Sequence, residues 1–203
     1  MYGEALLQRL QGDFLGLESV YTLADGRQAQ RIYLDSAAST LRMGAAQRLG
    51  TALLAHYANT HSELHFGARA VNHAYQWAHQ QVLEFVQADQ RYSAFFAGNG
   101  TTAGLNRMAR TLAHWRPERD LVLVSTMEHH SNDLPHRQYA HVLHLPLTGE
   151  APALGAVDLA ATAALLEQYG SRVNYIAVTG ASNVTGILNP VAELARLAHT
   201  HGA

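Results

Sequence analysis

The 203-residue sequence contains no cysteine, and all 14 residues of its combined Lys+Arg count are arginines, so it contains no lysine either. The first absence excludes disulfides and a thiolate nucleophile within the chain, and it favours a reducing compartment. The second means that no side chain here can form a Schiff base with a carbonyl compound. No apolar stretch approaches the roughly 18 residues of a membrane span. The first eleven residues lack the basic segment and long apolar run of a secretory leader. A cytoplasmic protein without a membrane partner is therefore expected. The net charge of -2 gives no basic surface for nucleic acid.

What is present is an ordinary globular composition, 48% hydrophobic, enough for a real core and too apolar for wholesale disorder. Residues 4–10 read as a short helix and Ala24-Asp25-Gly26-Arg27 as a turn. A strand is expected over residues 31–34, leading into the small-residue segment 35–40. A helix is expected over 43–57, ended by Asn59-Thr60-His61. Val71, Ala74, Ala78, Val82 and Phe85 recur at three- and four-residue spacing, which predicts an amphipathic helix over 69–87.

Beyond this point strands expected at 93–97, 121–125, 142–145 and 174–178 alternate with helices. The helices fall at 101–115, 132–138 and 159–169, the last capped by Asp158 and closed by Gly170. A final helix is opened by Asn189 and Pro190 and stopped by Gly202. Residues 148–155 are expected to form a loop. The alternation predicts an α/β fold, a mostly parallel sheet with helices on both faces. The chain reads as stopping at Ala203 inside a domain, where a further buried strand is due.

Three segments that follow expected strands carry chemistry. Gly98-Asn99-Gly100-Thr101-Thr102 joins a strand to a helix, and its glycines, hydroxyls and free helix-start N–H groups suit a phosphate. The same residues also serve as plain turn and cap chemistry. Met127-Glu128-His129-His130-Ser131-Asn132 offers an imidazole that would stack on a flat ring or shuttle a proton, or else forms a solvated loop. Its spacing matches no metal motif, so no metal is expected. Thr179-Gly180-Ala181-Ser182-Asn183-Val184-Thr185-Gly186 presents the Asn183 amide, either to a ligand oxygen or to its own Asx turn. Together the three suit a flat phosphorylated heterocycle, and a nucleotide satisfies that description as well as pyridoxal phosphate (PLP) does.

Four motifs, spread over roughly residues 32 to 198, resemble a known family. Tyr33-Leu34-Asp35-Ser36-Ala37-Ala38-Ser39 resembles the YLDNAAT opening of cysteine desulfurases and other class V aminotransferase-fold enzymes. Gly100-Thr101-Thr102-Ala103-Gly104-Leu105-Asn106 resembles the family's GTTEAIN turn, Glu128 to Asn132 its EHHSN, and Ser182 to Gly186 with Asn189-Pro190-Val191 its SNVTGxxNPV. The chain depart from the pattern at Ser36, where an Asn is usual, and at Gly180, where many desulfurases have a histidine.

The resemblance implies the first part of a PLP-dependent large domain over residues 33–203, preceded by an N-terminal arm and short helix over 1–32. It implies that Gly100, Thr101 and Thr102 bind the cofactor phosphate. His129 would stack on the pyridine ring and act catalytically on protons, and Asn183 would bond the ring's phenolic oxygen. Asn59 and His61 would line the substrate side. The family's ring-pairing Asp, covalent-attachment Lys and carboxylate-binding Arg have no counterpart here. The implied parent is a transferase or desulfurase-like lyase acting on an amino acid, working as a homodimer, and the chain alone is expected to be inactive. The alternatives are a noncovalent phosphate- or PLP-binding module or partner subunit, and an uncovered structural fragment that self-associates.

Overall fold

The computed structural model describes residues 3–60, 62–149 and 155–203. The chain divides into two compact units, Met1–Phe95 and Phe96–Ala203.

In the first unit, helix α1 (Glu4–Gln11) precedes a small antiparallel hairpin of β1 (Val20–Thr22) and β2 (Gln28–Gln30). The expected turn forms between these strands, where the Asp25 carboxylate accepts a hydrogen bond from the Arg27 backbone N–H at 3.0 Å. Helices α2 (Gly44–Leu54) and α3 (Phe66–Phe85) occupy the two stretches expected to be helical. The strand expected at 31–34 does not form. The hairpin ladder ends at Gln30; only the Arg31 N–H bonds back, to the Ser19 carbonyl at 2.8 Å, and Ile32 and Leu34 beyond it are 83% and 91% exposed, so nothing covers a strand there.

The second unit is the α/β part. Helix α4 (Gly100–Trp115) leads to β3 (Leu121–Ser125), then a 3-10 turn (His130–Asn132), α5 (Leu134–Tyr139) and β4 (His141–Leu145). Helix α6 (Leu159–Tyr169), β5 (Val173–Ala177) and α7 (Val191–Thr200) complete it. The three strands form a parallel sheet in the order β4-β3-β5. The central strand β3 is Leu-Val-Leu-Val-Ser and is buried at every position. An unbroken apolar run is what a strand covered on both faces requires. Leu121, Leu123, Leu145 and Val173 face a core completed by Leu166 of α6 and Leu194 of α7. Val122, Val124 and Ala177 face the other layer with Ala140 and Tyr175.

Asp158 caps α6 as expected, accepting from the N–H groups of Ala160 and Ala161 at 2.9 and 3.0 Å. The expected strand at 93–97 is absent. Phe95 and Phe96 are 84% and 55% exposed, and no ladder pairs that segment among the described residues. Apolar β-formers without a neighbour to satisfy their backbone do not make a strand. Asn189 does not cap the last helix. Pro190 takes the cap position, and the Asn189 side chain is spent elsewhere, as described below. The loop expected over 148–155 lies largely outside the described residues. Among those residues no helix is long and apolar enough to cross a membrane.

Candidate functional site

In a parallel sheet the C-terminal ends of all strands share one edge. β3 and β5 are direct neighbours, with Val124 opposite Ala177. The loop carrying His129 leaves β3 at Ser125, and the loop carrying Asn183 leaves β5 at Ala177, so both start from that edge. Helix α4 runs the opposite way. The carbonyl of Leu112, in its last turns, accepts from the Asn174 amide at the start of β5 at 3.0 Å. Its C-terminal neighbour Arg116 donates to the Gly202 carbonyl at 2.9 Å. The helix also packs against the 3-10 turn that follows β3. Its 16 residues span about 24 Å, so its start is directed toward the edge where the other two loops begin.

That helix start is unlike the starts of α3 and α6. His65 caps α3 and Asp158 caps α6 with side chains, whereas Asn99 makes no side-chain cap on α4. Gly98 and Gly100 hold φ values of 87° and 73°, a backbone that L side chains rarely adopt, and a Cβ at either would meet nothing within 4 Å. Uncapped N–H groups, two exposed threonine hydroxyls and open space beside the glycines fit a phosphate.

His129 is exposed, and its ring is oriented locally. Its Nδ1 accepts from the Ser131 backbone N–H at 3.1 Å and lies 2.8 Å from the Ser131 hydroxyl. Nδ1 is therefore the unprotonated nitrogen, and the neutral ring carries its proton on Nε2. Asn183 is exposed at the tip of a narrow loop whose sides meet in an antiparallel bridge between Ala181 and Leu188. Ser182 holds this turn: its Oγ accepts from the N–H groups of Val184 and Thr185 at 3.3 and 3.2 Å. Asn59 is an exposed residue of the first unit, following α2, and His61 lies outside the described residues.

Beneath the exposed groups lies a polar layer that motif reading missed. The Glu128 carboxylate accepts from the Ser125 hydroxyl (2.6 Å), the Thr179 backbone N–H (2.5 Å) and the Asn132 amide (2.7 Å). It thus ties the end of β3 to the first residues of the Asn183 loop. Asn189, 8% exposed, makes a second tie. Its Oδ1 accepts from the Val157 N–H at 2.9 Å, while its Nδ2 donates to the Thr179 carbonyl at 2.8 Å and contacts Met127 Sδ at 3.1 Å.

His136, fully buried, bridges Asn132 Oδ1 (3.3 Å) and the Tyr175 hydroxyl (2.9 Å). Burial pushes the His136 imidazole below its ordinary value and lifts the Tyr175 hydroxyl to about 12, so both are neutral. Burial alone would raise the neighbouring Asp133 carboxyl, but hydrogen bonds from Arg137 and His144 hold it below the usual range. One signal was available in sequence: Glu128, Asn132 and His136 are spaced four apart, the interval that aligns side chains along a helical face.

The buried histidine has a consequence for stability. Its folded value lies below the ordinary imidazole value of about 6.5, so the unfolded chain takes up a proton first as the pH falls. The stabilisation is present in full above about pH 6.5 and is lost as the pH drops through the folded value. Urea melts at pH 7.5 and 5.5 should show the loss, and His136→Leu should remove most of that difference.

The profile of the aminotransferase class-V family matches residues 32–203, and the chain belongs to that family. A cysteine desulfurase of Dickeya dadantii is 34% identical over 179 residues, covering 84% of this chain and 41% of that enzyme. A probable cysteine desulfurase of Pseudomonas aeruginosa is 35% identical over 178 residues, covering 84% of this chain and 42% of its own length. The crystal structure of the Escherichia coli cysteine desulfurase CsdA superposes with a TM-score of 0.69 at 26% identity, covering all of this chain and 47% of that one. The chain thus spans less than half the length of the proteins it matches. Enzymes of this family depend on PLP, which is the cofactor expected for a full-length parent.

Proposed function

We propose that this chain is the cofactor-cradling part of a PLP-dependent class V enzyme of cysteine desulfurase type, whose parent acts on an amino acid. The observation that supports the reading is that two strand-end loops leave one edge of a parallel sheet and an uncapped helix start is directed toward it. Gly100, Thr101 and Thr102 would hold the phosphate, the two threonines through N–H and hydroxyl donors and Gly100, whose own N–H donates to the Gly98 carbonyl at 2.6 Å, by letting the backbone come close. His129 would lie against the ring and hold a proton on Nε2, the nitrogen that its own loop leaves protonated. Asn183 would donate from its amide to the ring's oxygen. Asn59 and His61 remain candidates for the substrate side. Bound in this cradle, PLP supplies an electron-withdrawing ring for chemistry at an amino acid's α-carbon.

With no lysine in its sequence, the chain by itself holds the cofactor noncovalently and does not turn over substrate. The cytoplasm is the proposed compartment, in keeping with the absence of cysteine. Self-association, as a homodimer in the parent, is proposed too. Ile32, Leu34, Leu64 and Phe95 are each more than four-fifths exposed, which favours burial against another surface.

Calorimetry with PLP tests the reading. The chain should bind it, and the double substitution Thr101→Ala, Thr102→Ala should weaken binding by about 10- to 100-fold, the equivalent of losing one or two hydrogen bonds to a charged group. Borohydride added to the complex should fix no label on any internal residue by peptide mapping. Equal binding by both proteins, or a labelled internal side chain, would overturn it.

A further inference from the structure

A carboxylate only accepts hydrogen bonds, and a backbone N–H only donates. Those two facts set the direction of every link in the buried layer below His129. Glu128 accepts from the immovable Thr179 N–H and from Ser125 on one oxygen, so Asn132 must turn its Nδ2 toward the other. Asn132 then offers Oδ1 to His136 Nε2, which must carry the proton. His136 Nδ1 is left as an acceptor, and the Tyr175 hydroxyl donates to it. Burial keeps both the imidazole and the phenol neutral, so the ring carries a single proton.

We propose that Glu128 is a positioning residue whose negative charge orients the whole chain Glu128–Asn132–His136–Tyr175 and so locks the His129 loop to the loop that carries Asn183. Its acceptor-only character reaches Tyr175, on the neighbouring strand β5, through Asn132 and His136. The chain is an orienting device and not a proton wire, because the Asn132 amide does not pass protons along. Its relevance to cofactor binding rests on the function proposed above. The orientation itself does not, and can be read without any ligand.

The neutral variant Glu128→Gln makes a distinctive prediction. Its carbonyl oxygen must stay on the Thr179 N–H, since an NH2 group there would face another donor. The NH2 then faces Asn132, which must flip to present Oδ1. His136 Nε2 now meets an NH2 group and must give up its proton, so the proton moves to Nδ1 and Tyr175 becomes the acceptor. No link is lost, but every link from Asn132 onward reverses. A residue that merely filled space would not move a proton on a ring two side chains away.

Nitrogen-15 NMR of the imidazoles in the full 203-residue chain, without PLP, tests this. The unsubstituted chain should show His136 as the Nε2–H tautomer, Glu128→Gln should show Nδ1–H, and Tyr175→Phe should keep Nε2–H, because the direction is set from the Glu128 end. Glu128→Ala should speed exchange of the Thr179 amide by about ten-fold or more, the loss of a charge-assisted hydrogen bond. An Nδ1–H ring in the unsubstituted chain, an unchanged tautomer in Glu128→Gln or a switched one in Tyr175→Phe would each overturn the proposal. So would unaltered Thr179 exchange in Glu128→Ala. Because the unsubstituted chain and Tyr175→Phe are informative alone, a Glu128 variant that does not fold leaves the test standing. Failure of PLP binding would sink the proposed function and leave this orientation intact.

Discussion

Leu123→Ala should destabilise the second unit by about 2–5 kcal/mol in urea unfolding followed by circular dichroism. Leu123 has no exposed surface and lies at the middle of β3, the strand flanked by both others. Its side chain belongs to the cluster formed with Leu121, Leu145, Leu166, Val173 and Leu194, so truncation opens a cavity between the sheet and α6 and α7. Neighbours on regular elements cannot collapse into such a cavity without giving up contacts of their own, which puts the cost at the upper part of that range. A domain's total stability is only about 5–15 kcal/mol, so the substitution removes a large share of it. Phe85→Ala is the control. Phe85 is larger but 89% exposed, and its removal should change stability by no more than about 0.5 kcal/mol. Equal effects from the two substitutions would contradict the assignment of β3 as the core strand.

Asn189→Ala should cost about 2–6 kcal/mol, although it deletes a small polar side chain from a loop. The amide is one of few groups able to serve an N–H donor and a C=O acceptor at once. It satisfies the Val157 N–H with its oxygen and the Thr179 carbonyl with its nitrogen. Alanine leaves both without partners, each at about 1–3 kcal/mol. Asn189→Asp discriminates this account from a simple volume effect. The carboxylate still accepts from Val157 but faces the Thr179 carbonyl with like-signed charge, so it should be no better than alanine despite its near-identical shape. The melting temperature should fall by roughly 10 °C or more for both variants. Amide exchange in the loop after β5 should quicken, since its anchor to Met127 and Thr179 is gone. A stable Asn189→Asp variant would show that the amide nitrogen is not needed.

These two residues illustrate what could be read in advance. Leu123 announced itself: an unbroken Leu-Val-Leu-Val run between polar segments is a strand buried on both faces. Asn189 was legible only in part. Its position before Pro190 suggested a helix cap, which is the common local use of Asn, whereas the fold spends its amide on residues ten and thirty-two positions away. The same contrast separates Asp158, whose capping bonds reach only two and three residues along the chain, from Glu128, whose bond to Thr179 spans 51. Tyr175 and His136, 39 residues apart, could not be paired without the sheet and α5 between them.

By itself the sequence determined whatever depends on near neighbours: the helices from their apolar spacing, the buried strands β3 and β5, the α/β class, the motifs of the class V family, and the absence of a lysine to bind PLP covalently. The tertiary structure decided which strand candidates find partners, and so left residues 31–34 and 93–97 out of any ladder. It also decided where α4 points and how Glu128 and Asn189 knit two loops together. The reason is physical. Periodicity and capping act within a few residues, while strand pairing and buried hydrogen bonds are satisfied by whatever group the fold carries into reach.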